Sequence, residues 1–135
     1  MIEVKNIQKS FGDKTVIHDV SAVMKAGQCN LIIGSSGSGK TVLMKCIVGL
    51  FEPDKGEVLY DGQNFTAMKG EEKTEIRKEI GMLFQGSALF DSLTVEENVM
   101  FPLSKFTDWS QIKKLDRVNE VLARVNIADA NRKYP

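Results

Sequence analysis

Apolar and polar residues alternate from the start of the chain. Ile2 and Val4 fall on one face of an extended segment, and Ile7 returns to that face after a slip. This predicts a half-buried strand over 2–7. Gly12-Asp13 interrupts it, a short strand follows over Thr15–Ile17, and Val20–Met24 alternates again before Ala26-Gly27. Short alternating strands at such close spacing predict an antiparallel sheet at the N-terminus.

The pattern then changes. Cys29–Ile33 is nearly continuous apolar sequence, which predicts a strand covered on both faces. Beyond a glycine-rich turn, Thr41–Leu50 is apolar almost all round, with Lys45 the main exception. That predicts a buried helix, stopped by Gly49 and Pro53. Gly56–Tyr60 reads as a strand ending in the turn Asp61-Gly62, residues 69–79 as a short solvated helix, and Ile80–Phe84 as a further strand.

Thr94-Val95-Glu96-Glu97 has the form of a capping box, opening a helix expected to end before Pro102. Asp108, with Gln111 three residues later, predicts a second helix start capped by Asp108. Its apolar positions Ile112, Leu115, Val118, Val121, Leu122 and Val125 form a stripe on one face.

Composition narrows the classes. The 135 residues suit one domain or a large piece of one, and 18 basic residues balance 18 acidic ones. A zero formal charge gives no electrostatic reason to expect a nucleic-acid partner. Cys29 and Cys46 lie in apolar stretches without metal-like spacing and are expected to be buried thiols in a reducing compartment. No basic patch precedes an apolar run at the N-terminus, and the longest apolar runs fall short of a membrane span. A membrane role would therefore come through a partner.

One motif carries chemistry. Gly34-Ser35-Ser36-Gly37-Ser38-Gly39-Lys40-Thr41 fits G-x-x-x-x-G-K-[ST] at every position. Glycines let the backbone approach an oxyanion, and successive N–H groups form an anion nest at the positive end of the following helix. Lys40 is expected to meet the β- and γ-phosphates of a nucleoside triphosphate, and the Thr41 hydroxyl to ligate Mg²⁺.

Further segments frame the loop. Ile7-Gln8-Lys9-Ser10-Phe11-Gly12 and Val16-Ile17-His18-Asp19-Val20-Ser21 precede it, and Ile80-Gly81-Met82-Leu83-Phe84-Gln85 follows, with Gln85 45 positions after Lys40. Together these resemble the nucleotide-binding domain of ATP-binding cassette (ABC) transporters across essentially the whole chain. The resemblance implies an α/β fold, a partial P-loop NTPase core with an N-terminal antiparallel β-subdomain. It implies that Phe11 stacks on adenine, that Val16 packs beside sugar and base, and that Gln85 ligates Mg²⁺ and takes part in catalysis with Lys40. His18 lies in the wrong segment to act as that family's switch histidine.

Phe84 to Val99 looks like the ATPases of Mce-associated phospholipid-trafficking systems of bacterial envelopes, with Gly86-Ser87-Ala88 a small departure. The resemblance implies a permease docking between Gln85 and Asn98, with Leu89, Phe90 and Leu93 candidates to line the groove. It also implies a homodimer of such domains and a place on the cytoplasmic face of the membrane. No L-S-G-G-Q segment and no apolar strand ending in Asp-Glu is present. The expectation is the N-terminal portion of one domain over 1–135, able to hold ATP but not to hydrolyse it alone, with a sheet edge left open. Other readings are a non-transport ABC protein of translation or DNA repair, a P-loop nucleotide kinase, and a nucleotide sensor.

Lys40 is the residue on which these readings agree. Charge-assisted hydrogen bonds contribute about 1.5–3 kcal/mol each, so Lys40→Ala is expected to weaken nucleotide binding roughly ten- to a hundred-fold. Titration calorimetry giving equal affinities would remove the loop from the site.

Overall fold

Strands β1 (Ile2–Phe11) and β2 (Lys14–Met24) form an antiparallel hairpin around Gly12-Asp13. The structure, a computed structural model, describes every residue except Gln85 and Ser87. Strand β3 (Lys55–Tyr60) pairs with the other edge of β1, and the short β4 (Gln63–Asn64) completes a four-stranded antiparallel sheet in the order β2-β1-β3-β4. Helix α1 (Lys40–Ile47) packs on this sheet, and α2 (Gly70–Lys78) follows. The chain divides into two units, Met1–Ile80 and Gly81–Pro135.

The slip in the first strand has a structural cause. Ile7 lies three positions after Val4, an odd step that turns a side chain to the other face of a regular strand. Both residues are nevertheless buried in one core. Val4 faces Ala22 and Ile7 faces Val20, so β1 carries one extra residue there. Asn6 absorbs it with φ of 51°, while its backbone N–H donates to Ser21 Oγ at 2.9 Å and its side-chain amide to Asp19 Oδ1 at 2.8 Å. Asp19 has φ of 52° and lies within a second irregularity, this time in β2. What reads as two short strands is therefore one bulged strand.

The core of this unit consists of Val4, Ile7, Ile17 and Val58 from the sheet with Leu43, Cys46 and Ile47 from α1. Burial pushes the Cys46 thiol up from its ordinary pKa. At its far end the helix is held from outside. Tyr60 Oη donates to the Ile47 carbonyl at 2.9 Å, the Arg77 guanidinium donates to the Gly49 carbonyl, and the Phe65 ring lies against Gly49.

Two expected strands are absent. Residues 29–33 and 80–84 pair with no strand among the described residues. An apolar run becomes a covered strand only where neighbours take its backbone groups and both faces. Without them Leu31, Ile33 and Leu83 are over four-fifths exposed, and Cys29, expected to be buried, is exposed as well. Helix α1 is also less enclosed than its composition suggests, since Met44 faces solvent.

The second unit holds α3 (Val95–Phe106) and α4 (Gln111–Arg124). The capping box at Thr94 and Glu97 forms as expected, and it holds the Glu97 carboxyl below its usual range. Pro102, however, lies inside α3 rather than beyond its end. An interior proline costs about 3 kcal/mol. The helix continues because Leu103, in the turn after it, packs against the buried Met100, Val118 and Leu122. At α4 the cap is Ser110, whose Oγ accepts from the Lys113 N–H, and not Asp108. Val118 and Leu122 bury the centre of its stripe, while Ile112 and Val125 stay exposed.

Burial raises the pKa of the Tyr60 phenol from 10.0 to about 12. The fold thus favours the neutral phenol, and this stabilisation is complete below pH 10 and lost as pH rises through about 12. Tyr60→Phe is expected to lose about 1 kcal/mol at pH 7 and to flatten the stability curve across that alkaline window. Urea unfolding of both proteins at several pH values measures this. An equally steep alkaline loss in the variant would assign the titration to another group.

Candidate functional site

The buried face of α1 fixes where its first turn lies, and that turn closes the glycine-rich loop. Lys40 is the first residue of the helix and Gly39 its N-cap, with φ of 90° and no side-chain cap. The first intrahelical bond runs from the Leu43 N–H to the Gly39 carbonyl at 2.8 Å. Ser38 N–H donates to the Ser35 carbonyl at 3.2 Å, folding the loop back on itself. Lys40 Nζ lies within the loop, donating to the Gly34 and Ser35 carbonyls at 2.8 Å each.

Comparison with the other helix starts shows what is distinctive here. Helix α3 is capped by Thr94, and its Val95 and Glu96 N–H groups donate to the carbonyls of Lys133 and Asn131. Helix α4 is capped by Ser110, and α2 has Glu71 and Glu72 in its first turn. Helix α1 has neither a side-chain cap nor an acidic residue in that turn. Its positive end is therefore left without a carboxylate or a capping oxygen from a side chain.

A cleft of about 190 Å³ lies over this turn, lined by Val16, Gly37, Ser38, Gly39, Lys40, Thr41 and Val42. Its lining is the end of the loop, the start of the helix and one residue of β2. A Cβ on Gly34 would lie 2.7 Å from Ser38 Oγ, and one on Gly39 would lie 2.7 Å from Ile17 Cδ1 and 3.1 Å from the Val16 carbonyl. The loop is therefore packed against β2 at Gly39 and against its own Ser38 at Gly34, and Val16 is brought to the site by the same packing that fixes Gly39. N–H groups, an ammonium and a hydroxyl on one short cleft form a donor set suited to a phosphate chain with a divalent cation.

The remaining predicted residues are distributed more widely. Gly34, Ser35, Ser36 and Gly37 form the exposed part of the loop, and Thr41 is exposed at the first turn. Phe11 is not among the cleft-lining residues. It stands half-exposed at the end of β1, with its ring edge-on to Phe51 at 5.4 Å. Gln85 lies outside the described residues. His18 is exposed on β2, and Trp109 lies just before α4 with Lys113 Nζ 4.1 Å from its ring. Leu89 and Phe90 are about half-exposed, and Asn98 holds their loop by exchanging hydrogen bonds with the Phe90 backbone.

The sequence pattern gave no notice of Tyr60, Phe65 and Arg77 as supports of the helix. Arg77 lies in a charged stretch that reads as solvated. The one available signal was Gly49, a helix-ending glycine with room beside it for another element.

The sequence model of the family described as ABC transporter matches residues 17–135. The chain belongs to the ABC transporter family. It is 37% identical over 134 residues to the probable ribonucleotide transport ATP-binding protein mkl of Mycobacterium tuberculosis, covering 99% of this chain and 37% of mkl. It is 41% identical over 107 residues to the intermembrane phospholipid transport system ATP-binding protein MlaF of Haemophilus influenzae, covering 79% of this chain and 40% of MlaF. The fold matches the dimeric ATP-binding cassette MJ0796, bound to ADP and Pi after hydrolysis, with a TM-score of 0.87 and 30% identity. That match covers all of this chain and 62% of the cassette.

The α/β fold of ABC ATPase type, expected from the motifs, is thus established. The chain spans about two-fifths of the length of these curated relatives. ABC proteins named for ribonucleotide and for phospholipid transport match it to a similar degree.

Gly39 tests the architecture of the loop. Gly39→Ala adds a methyl against Ile17 and forces alanine to a positive φ, which alone costs roughly 1–2 kcal/mol. Gly12→Ala, at φ of 56° with nothing within 4 Å of the new atom, carries only that backbone strain. Gly39→Ala is therefore expected to destabilise the chain more than Gly12→Ala in denaturant titrations. Equal losses would show that the loop is not packed on β2.

Proposed function

We infer that this chain is the N-terminal portion of the ATP-binding subunit of an ABC transporter, and that it binds ATP with Mg²⁺ at the Gly34–Thr41 loop. The observation that carries the reading is the P-loop closing on the uncapped positive end of α1, with Lys40 inside it. In this reading the loop N–H groups and Lys40 hold the phosphates, Thr41 and Gln85 ligate Mg²⁺, and Val16 and Phe11 contact sugar and base. ATP supplies the phosphoanhydride whose cleavage the complete protein couples to transport. The role of Gln85 rests on sequence alone.

The complete subunit would act as a dimer on the inner face of the membrane, joined to a permease that docks between Gln85 and Asn98. Phospholipid at a bacterial envelope is the proposed cargo. It is supported by the Leu89-Phe90-Asp91-Ser92-Leu93-Thr94-Val95 run, which resembles that of phospholipid-trafficking ATPases. In this reading Mg²⁺ and the attacking water need acidic groups beyond Thr41 and Gln85, so this chain by itself would hold nucleotide without turning it over.

Two measurements test this. Calorimetry on the 135-residue chain should show saturable Mg·ATP binding, with phosphate release no faster than from Lys40→Ala. Steady hydrolysis abolished by Lys40→Ala would overturn the division of labour. In inverted vesicles carrying the full-length subunit and its permease, ATP should drive phospholipid movement. ATP-driven ribonucleotide uptake instead would overturn the cargo.

A further inference from the structure

The turn that follows the P-loop helix reaches back to the end of β1. Leu50 and Phe51 N–H groups both donate to the Lys45 carbonyl, at 2.8 and 3.0 Å, so the chain curls tightly off the helix. Lys45 Nζ sits 5.1 Å from the centre of the Phe51 ring, and Phe51 packs partly into the core formed by α1 and the sheet. The Phe51 ring then meets Phe11, with ring centres 5.4 Å apart and planes at 71°. This edge-on geometry is one that aromatic pairs prefer.

A second connection runs through the same turn. Asp54 accepts from Lys9 Nζ at 2.7 Å and from the Ser10 N–H at 2.6 Å, while its own N–H donates to the Gln8 carbonyl at 2.8 Å. Residues 8–10 immediately precede Phe11, and Lys9 Nζ also lies 5.6 Å from the Phe11 ring centre. The hydrogen bonds from Lys9 and then Ser10 hold the Asp54 carboxyl below its ordinary range, so it is charged at neutral pH. Phe11, on the rim of a hairpin and 45% exposed, is thus held on its ring by Phe51, while Asp54 fixes the backbone of the adjoining Ser10.

We propose that Phe51 and Asp54 are positioning residues for the nucleotide base, acting through Phe11. This rests on the reading that Phe11 stacks on adenine. A ring that stacks on a base binds more tightly when its orientation is fixed beforehand, because less side-chain entropy is lost on binding. Both positioning residues leave from the C-terminal end of the helix whose N-terminal end holds the phosphates. The base platform and the phosphate cradle are therefore tied to one rigid element, and the turn from Phe51 to Asp54 sets the span between them. Neither residue touches the nucleotide in this account.

The test separates base from phosphate. Affinities for Mg·ATP and for Mg·tripolyphosphate, which has phosphates but no base, are measured by calorimetry on the wild-type chain and on Phe51→Ala, Phe51→Tyr and Asp54→Asn. Phe51→Ala and Asp54→Asn are expected to weaken ATP by between about two- and ten-fold and to leave tripolyphosphate within two-fold. Phe51→Tyr, which keeps the ring, is expected to restore ATP affinity. Unchanged ATP affinity in both weakened variants would overturn the proposal. So would a parallel loss of tripolyphosphate, which marks general damage to the helix. Asp54→Asn preserves size at an exposed site, so it reads out even where Phe51→Ala folds poorly. Failure of the underlying reading looks different: the wild type itself would bind ATP no more tightly than tripolyphosphate, and the proposal falls with it.

Discussion

The first turn of an α-helix presents N–H groups that no carbonyl of that helix can accept, at the end where its dipole is positive. Proteins usually quench such an end with a serine, an aspartate or a neighbouring carbonyl, as this chain does at α3 and α4. At α1 it does not. The glycines and Lys40 sit where a cap would be, and the lysine ammonium is held on loop carbonyls rather than on a carboxylate. The arrangement keeps cation and N–H groups together without an internal anion to satisfy them. Much of the first unit serves to keep this end in place.

An eight-residue helix is not stable in isolation. This one persists because Leu43, Cys46 and Ile47 are buried against the sheet, and because its other end is fixed as well. Tyr60, from β3, takes the carbonyl of its last residue, Ile47, and Arg77, from α2, takes that of Gly49 just beyond it, where a cation suits the negative end of the dipole. Lys73, the one buried charge among the described residues, contributes to the same region through Glu52 at 3.5 Å and the Phe65 ring at 5.3 Å. The bulged hairpin supplies Ile17 and Val16 under Gly39. The geometry of the loop at one end of α1 thus depends on packing and hydrogen bonds at both.

Local chemistry made part of this legible. The loop motif, the Thr94 capping box and the charged helix α2 all depend on residues close in sequence, and each forms where the pattern places it. The departures share a different origin. Residues 29–33 and 80–84 have the composition of covered strands, but a strand exists only with a partner, and composition does not say where the partner is. Pro102 stays helical because packing by Leu103 and Met100 outweighs a local penalty. The cap chosen at α4 is Ser110 rather than Asp108, two residues apart in a stretch where both have suitable side chains. The slip at Ile7 was visible in the pattern, yet its repair by Asn6 and Asp19 depends on two strands meeting. The supports Tyr60, Phe65 and Arg77 were not legible, since nothing near them in sequence points to α1.

The residues that read a nucleotide cannot also specify the cargo. Phosphate binding through backbone N–H groups and one lysine asks the same of every member of the family, so shared identity over the loop carries no information about what is moved. Cargo can be encoded only where the chain meets whatever carries it. Within the second unit, Asn98 holds the Phe90 backbone and leaves Leu89, Phe90 and Phe101 substantially exposed, with the two phenylalanine rings 4.9 Å apart. An apolar cluster kept on the surface by a dedicated hydrogen-bonding side chain is costly unless something covers it. On the proposed reading a permease that docks between Gln85 and Asn98 covers it, while the loop at α1 meets only phosphate, which is generic.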